Sequence, residues 1–299
     1  MTTLSEKYLA GFLDADGSIQ VMWRPVDRAD SDPTVRRPYL ALEFSQRSDR
    51  DEVLRQIQAT FGGKLSENVR GPYSKLVIFG SPAVQVLTRI QKHLVIKRHY
   101  AGAVLDLLGA PRKVELAQAY LKAQRLVPST PLPNYPSRKW AAGYFDGDGC
   151  ISARLNKNRT AAAVYFEIAC SAHDSEGIEI LQKAFGGSIN DMDASRKHLK
   201  KWVLSVPPSK LKEVDRHFGQ YLIVKKSQFD FLMGCAQMGH FRDGSSISGA
   251  LKQLKAQPHR LSEPNAVSQL LSTVRDVPDE ELLDNKRRAM EKARALRKR

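Results

Sequence analysis

Two pairs of aspartates, each followed by glycine, are the residues of this chain best suited to chemistry. Asp14 and Asp16 end the stretch Tyr8-Leu9-Ala10-Gly11-Phe12-Leu13-Asp14-Ala15-Asp16-Gly17-Ser18-Ile19, and Asp146 and Asp148 end Trp140-Ala141-Ala142-Gly143-Tyr144-Phe145-Asp146-Gly147-Asp148-Gly149-Cys150-Ile151. Each pair follows an apolar run of helical character. A helix C-terminus already carries partial negative charge, so a carboxylate there costs a few tenths to ~1 kcal/mol. One reading is a capping turn, with Gly17 and Gly149 as left-handed stops and the acids solvated. The other is a site for a divalent cation, which carboxylate and carbonyl oxygens suit. The string Asp-x-Asp-Gly-x-Ile also occurs in EF-hand loops, but in that register the first and last ligands would be Phe12 and Trp23, or Tyr144 and Leu155. None of these binds calcium through its side chain.

Because the two stretches stand 132 residues apart (148 minus 16), the elements around them can be compared. Asp49 to Gly63 parallels His173 to Gly187, in each case an amphipathic helix closed by glycine. His93-Leu94-Val95-Ile96-Lys97-Arg98 parallels Tyr221-Leu222-Ile223-Val224-Lys225-Lys226. Order is kept throughout, so the chain is a tandem duplication. After Gly17, Ile19, Val21 and Trp23 alternate with Gln20, Met22 and Arg24, and Leu40, Leu42 and Phe44 alternate with Tyr39, Ala41 and Glu43. That is the period of a sheet buried on one face. The second copy repeats it with Ile151 and Ala153 against Ser152 and Arg154, and with Val164, Phe166 and Ile168 against Tyr165 and Glu167. Ser81-Pro82 reads as a helix start, and Pro207-Pro208 marks the matching place. The expected architecture is α+β: two pseudo-symmetric αββαββα halves, each an antiparallel sheet with helices on one side and a polar, partly basic face left open. The expected domains are 1–122 and 139–256, joined by a proline-rich linker at 123–138 and followed by a basic extension at 257–299.

With 299 residues there is room for two moderate cores. The 47 Lys+Arg against 32 Asp+Glu leave a formal charge of +15, which calls for a polyanionic partner. Nucleic acid comes first and an anionic membrane surface second, with a merely soluble basic protein the bland reading. Cys150, Cys170 and Cys235 have no Cys-x-x-Cys spacing, which argues against a zinc site or a disulfide scaffold and fits a reducing compartment. No apolar run is long enough to span a membrane, and the first seven residues are too short and polar for a signal peptide.

The duplication favours the cation reading of the acids. Ala10 and Gly11, with Ala141, Ala142 and Gly143, are small enough for the two helices to touch and bring both C-termini together, where a shared divalent cation would turn repulsion into attraction. The motif resembles LAGLIDADG, and the chain over residues 4–240 is similar to single-chain, two-motif LAGLIDADG homing endonucleases. That resemblance implies motif helices at the interface of two halves whose sheets form a saddle over double-stranded DNA with a long target site. It implies a monomer needing no protein partner, and Mg²⁺ as cofactor, with Mn²⁺ as a substitute and Ca²⁺ binding without cleavage. It also implies phosphodiester hydrolysis on both strands leaving 3′ overhangs, intron mobility, and an intracellular setting, usually an organelle. The implied metal ligands are Asp16 and Asp148, with the carbonyls of Ala15 and Gly147. Asp14 and Asp146 are either helix-end hydrogen-bonding groups or further metal contacts. By family position Gln46 orders water around the nucleophile, Arg50 is its basic companion, and Lys97 and Lys225 stabilise the phosphate or perturb the attacking water. In the second copy Gln46 falls on Cys170 and Arg50 on Asp174, so the two strands are expected to be cut at unequal rates.

Strands laid in a major groove show every second side chain to the bases. On that rule the DNA-reading residues are Gln20, Met22, Arg24, Arg37, Tyr39, Glu43, Arg70 and Lys75 in the first copy. In the second they are Ser152, Arg154, Asn156, Tyr165, Glu167, Lys201 and Val203. The polar hairpin tip Asp27 to Asp32 and the basic tail are further elements, the tail either adding phosphate contacts or standing free. Two other functions compete: an RNA-binding intron maturase, and a DNA-binding protein without catalysis. Intact Asp16 and Asp148 favour cutting.

Overall fold

The structure is a computed structural model that describes residues 4–26, 34–67, 72–110, 112–127, 137–155, 162–171, 175–192, 198–239, 244–256 and 271. The hairpin tip, Arg70, Asn156, Asp174, most of the proline-rich linker and nearly all of the basic extension lie outside these residues.

The first half begins with helix α1 (Glu6–Asp16), which runs directly into strand β1 (Gly17–Arg24) and its antiparallel partner β2 (Val35–Arg47). Helix α2 (Glu52–Phe61) then leads to β3 (Lys64–Glu67), β4 (Tyr73–Phe79) and α3 (Gly80–Ile90). The sheet order is β1-β2-β4-β3. Helices α4 (Arg98–Leu107) and α5 (Val114–Arg125) flank a two-residue strand, β5 (Arg112–Lys113), that pairs with the start of β2. The second half repeats this plan: α6 (Arg138–Asp148), β6 (Gly149–Leu155), β7 (Ala162–Ser171), α7 (Glu176–Phe185), β8 (Ser188–Asp191), β9 (Leu199–Val206), α8 (Leu211–His217) and α9 (Lys226–Gln237), with sheet order β6-β7-β9-β8. A further helix, α10 (Gly244–Ala256), follows α9 as α5 follows α4, but it packs on β6 as well as α9, whereas α5 packs on α4 and β5. The α+β architecture of two antiparallel sheets read from the alternation is therefore the observed one.

Sequence dictates these elements directly. Leu40, Leu42 and Phe44 of β2, and Val164, Phe166 and Ile168 of β7, are at most 1% exposed and face the helices. Helices α2 and α7 end at Gly62 and Gly186, whose φ values of 74° and 79° only glycine adopts freely. Two details differ from expectation. Helix α3 starts at Gly80, one residue ahead of Ser81, and no side chain caps it. Gly17 and Gly149 are extended (φ −102° and −78°), so they are not left-handed stops. Glycine is needed there for space: a Cβ on Gly17 would lie 2.4 Å from the Leu13 side chain, and one on Gly149 would lie 2.3 Å from the Phe145 carbonyl oxygen.

The two halves meet along α1 and α6. A Cβ on Gly11 would fall 2.0 Å from the carbonyl oxygen of Trp140, and one on Gly143 would fall 2.1 Å from that of Tyr8. Because the equivalent glycine of each helix faces the equivalent carbonyl of the other, the contact is a pseudo-twofold. The small residues are what let the backbones touch.

Candidate active site and nucleic-acid face

At the C-terminal ends of α1 and α6 the two acids of each motif part company. Asp14 and Asp146 are 5% and 0% exposed. Asp14 Oδ2 accepts hydrogen bonds from the Val95 amide (2.8 Å), the Ile96 amide (3.3 Å) and the Trp140 indole N–H (2.8 Å), while Oδ1 accepts from the Lys97 amide at 2.9 Å. Asp146 repeats this with the amides of Ile223, Val224 and Lys225 at 2.6, 3.1 and 3.0 Å and the Tyr8 hydroxyl at 2.7 Å. The first acid of each motif thus holds the chain entering α4 or α9, and takes one donor from the opposite half. Burial pushes both carboxyls up, and the lysines and donated hydrogen bonds pull them back. Both oxygens of each of these carboxylates accept hydrogen bonds.

Asp16 and Asp148 are the acids left at the junction. The backbones meet here: a Cβ on Gly147 would sit 2.4 Å from the Ala15 Cβ and 3.5 Å from the Asp16 Cβ. Asp16 is held up at about 6, first by burial and then by the like charge of Asp148, against the pull of Lys225 and Lys97. Burial likewise raises Asp148. The partly buried Asp16 and the exposed Asp148, with like charges beside helix-end carbonyls, form an all-oxygen donor set, which fits a hard divalent cation such as Mg²⁺. Gln46 lies over this junction, its side-chain amide donating to Asp16 Oδ2 at 2.9 Å and to the Asp146 carbonyl at 3.5 Å.

The paired lysines lie at the helix ends. Lys97 Nζ donates to the carbonyls of Leu13 (2.7 Å), Asp14 (2.8 Å) and Gly17 (2.9 Å), with Ala15 further away at 3.4 Å. Lys225, 5% exposed, donates to the Asp146 carbonyl, and burial depresses its pKa against the attraction of Asp146 and Asp16. Each ammonium neutralises the negative pole of a motif helix, which is how carboxylates are tolerated there. The Ala15 carbonyl therefore has a lysine neighbour, and Gly147 contributes close approach. Arg50 donates to the carbonyl of Lys255 on α10.

The strand registers place Gln20, Met22 and Arg24 of β1 and Arg37, Tyr39 and Glu43 of β2 on one face of the first sheet. Gln20 stands opposite Ala41, Met22 opposite Tyr39, and Arg24 opposite Arg37 across β1 and β2. Met22 is 39% exposed on this face. Glu43 is tied to its neighbours: Lys75 pairs with it at 2.7 Å and Gln20 donates to it at 3.2 Å. On the second sheet Ser152 is opposite Tyr165 and Glu167 opposite Val203. Buried Glu167 takes both Arg154 (2.8 Å) and Lys201 (2.9 Å), and Arg154 lies over the Tyr165 ring. An acid on each sheet thus orders basic side chains around it. Sequence reasoning missed the interlocking donors Tyr8 and Trp140. Their signal was a polar hydrogen at the same place in two otherwise apolar helices.

Two joined αββαββα halves with paired carboxylates at their seam define a two-motif, pseudo-symmetric architecture. Residues 141–237 match the family described as LAGLIDADG endonuclease. Among solved structures it is similar to I-SmaMI bound to an uncleaved DNA target in the presence of calcium ions, with TM-score 0.62 and 18% identity, covering 85% of this chain and 99% of that one. I-GzeII in complex with its DNA target matches with TM-score 0.57 and 13% identity, covering 91% and 99%. I-AabMI bound to uncleaved DNA matches with TM-score 0.58 and 14% identity, covering 86% and 100%. At such identities the likeness is one of fold. No curated protein matches the chain.

Proposed function

We propose that the protein is a site-specific, divalent-metal-dependent DNA endonuclease that hydrolyses both strands of a long duplex target, leaves 3′ overhangs and promotes the mobility of an intron. The observation that carries this reading is the pair Asp16 and Asp148, brought together at the touching ends of α1 and α6 between two open faces lined with arginine and lysine. A basic saddle alone would suit any polyanion. Two acids of like charge held together at a helix junction suit a cation that compensates them. That the solved relatives are DNA complexes supports the choice of duplex DNA over RNA.

In this reading Asp16 and Asp148 hold Mg²⁺, with helix-end carbonyls available beside them. When bound, the cation supplies charge stabilisation to an in-line phosphodiester displacement. Gln46 fixes the orientation of the Asp16 carboxylate through their 2.9 Å hydrogen bond. Lys97 and Lys225 keep the helix ends intact and add positive potential where a phosphate would lie. Arginine and lysine of the open faces neutralise the DNA backbone, while Gln20, Tyr39 and their neighbours reach base edges. With both halves in one chain, a monomer suffices.

The test is incubation with a randomised duplex library in Mg²⁺, followed by sequencing of the ends. One enriched breakpoint is expected. Binding without an enriched breakpoint would sink the nuclease and leave a silent DNA-binding protein, whereas preference for structured RNA over duplex DNA would favour a maturase. Asp16→Asn should abolish cleavage while DNA binding in Ca²⁺ persists, and full cleavage by this variant would remove Asp16 from the site.

A further inference from the structure

Helix α10 occupies the place after α9 that α5 occupies after α4, but it packs differently and ends at the seam. Ile247, Ala250, Leu251 and Leu254, spaced one helical face apart, are at most 7% exposed and hold it against β6 and α9. Its last turn carries Lys255, whose ammonium lies 3.2 Å from Cys150 Sγ, two residues after Asp148. The backbone carbonyl of Lys255 accepts a hydrogen bond from the Arg50 guanidinium, which comes from the other half of the molecule. Cys150 lies on the open side of β6, opposite Glu167. The neighbouring Ser152 hydroxyl on that side is fully buried and has no hydrogen-bond partner.

Two features make this a place for an anion. Arg50 reaches the Lys255 carbonyl and the Lys255 ammonium reaches Cys150, so two cationic side chains meet at the end of α10. The acceptor at the Lys255 ammonium is a thiol, among the weakest available. A phosphate oxygen would bind it far better. The first half is built otherwise. There the residue equivalent to Cys150 is Ser18, which accepts from Gln20 of its own strand at 2.9 Å, and Gln46 serves Asp16 at 2.9 Å. The second half has Cys170 where Gln46 stands.

We propose that Lys255 binds a phosphate of the DNA strand lying over the second half, and that the end of α10 positions Arg50 beside it. Helix α10 thereby supplies charge at one of the two cleavage positions. This rests on the nuclease reading above.

The experiment uses the full chain and a plasmid carrying a target recovered from the library, with each strand labelled separately. Lys255→Met keeps an apolar stem for packing. It should slow one strand by roughly tenfold or more, the effect of losing one hydrogen bond to a charged group, so that nicked circles accumulate. The other strand should change less than about twofold, on the same reasoning for a position without that bond. Lys255→Arg should restore the slow strand, and the melting temperature should not move. Equal slowing of both strands, no change, or failure of arginine to rescue would overturn the assignment. Tighter binding or faster cutting by Lys255→Met would overturn it too, because α10 would then be obstructing the DNA. Should the wild type bind DNA without cutting it, the nuclease reading fails by itself. Lys255 is then judged by salt dependence, with Lys255→Met expected to lower the salt slope by about one phosphate contact and an unchanged slope refuting the role. A wild type that binds no DNA overturns both readings.

Discussion

Asp16→Asn tests the electrostatics of the seam without any DNA. In the metal-free protein the Asp16 carboxyl is held at about 6, against 3.8 for the free side chain. An acid whose pKa is raised by folding binds its proton more tightly in the native state than in the unfolded one. Its contribution is therefore neutral below the unfolded value and becomes a growing penalty as pH rises through the folded value. A shift of about two units corresponds to ~3 kcal/mol at neutral pH and about half of that near pH 5. Asparagine carries no charge, and its side-chain oxygen still accepts from Gln46. The variant should thus be more stable than the wild type in EDTA. At about 2 °C per kcal/mol for a chain of this size, the gain is ~6 °C at pH 7, shrinking toward pH 5. Mg²⁺ should then raise the wild-type melting temperature more than that of the variant, since the cation relieves in one what substitution has relieved in the other. Calorimetry across pH in EDTA and in Mg²⁺ makes the measurement. A variant that melts lower than wild type in EDTA, or a difference that ignores pH, would refute the claim that two repelling acids meet here.

Three further outcomes follow from the packing. Gly11→Ala forces a Cβ to within 2.0 Å of the Trp140 carbonyl oxygen, and with backbone on both sides nothing flexible can yield, so chemical denaturation should show a loss of about 3 kcal/mol or more. Gly249→Ala, where the new Cβ meets nothing within 4 Å inside α10, should instead gain about 0.5–1 kcal/mol, and equal effects at the two sites would contradict the close helix contact. Lys97→Met should cost about 1–3 kcal/mol in the absence of both DNA and metal, because the carbonyls at the end of α1 lose a charged donor. Unchanged stability in a urea titration would leave Lys97 with no role at the helix end.

The fold was legible because the chain contains its own comparison. Ile19, Val21 and Trp23 alone permit several sheets, whereas the same alternation recurring after Gly149, in the same order as its helices, permits one plan repeated. The comparison of copies is also where legibility stopped. Helix α10 follows α9 as α5 follows α4 but packs differently, so nothing in the duplication pointed to Lys255 or to its contact with Arg50. The two acids of each motif are identical in type and stand two residues apart. On a helix that spacing turns them through roughly 200°, onto opposite faces, and only packing tells which face meets the other half. Asp16 remains at the seam, while Asp14 turns toward the amides of Val95, Ile96 and Lys97 that lead into α4. The charge at the wrong pole of α1 is therefore at the favourable pole of α4, and the equivalent holds for Asp146 and α9. Lys97 completes the exchange by placing its ammonium on the carbonyls that α1 leaves open. What reads in sequence as two unfavourable acids is one acid satisfied by the next helix and one left unsatisfied. The fold can tolerate the second because the first has fixed both helices in place.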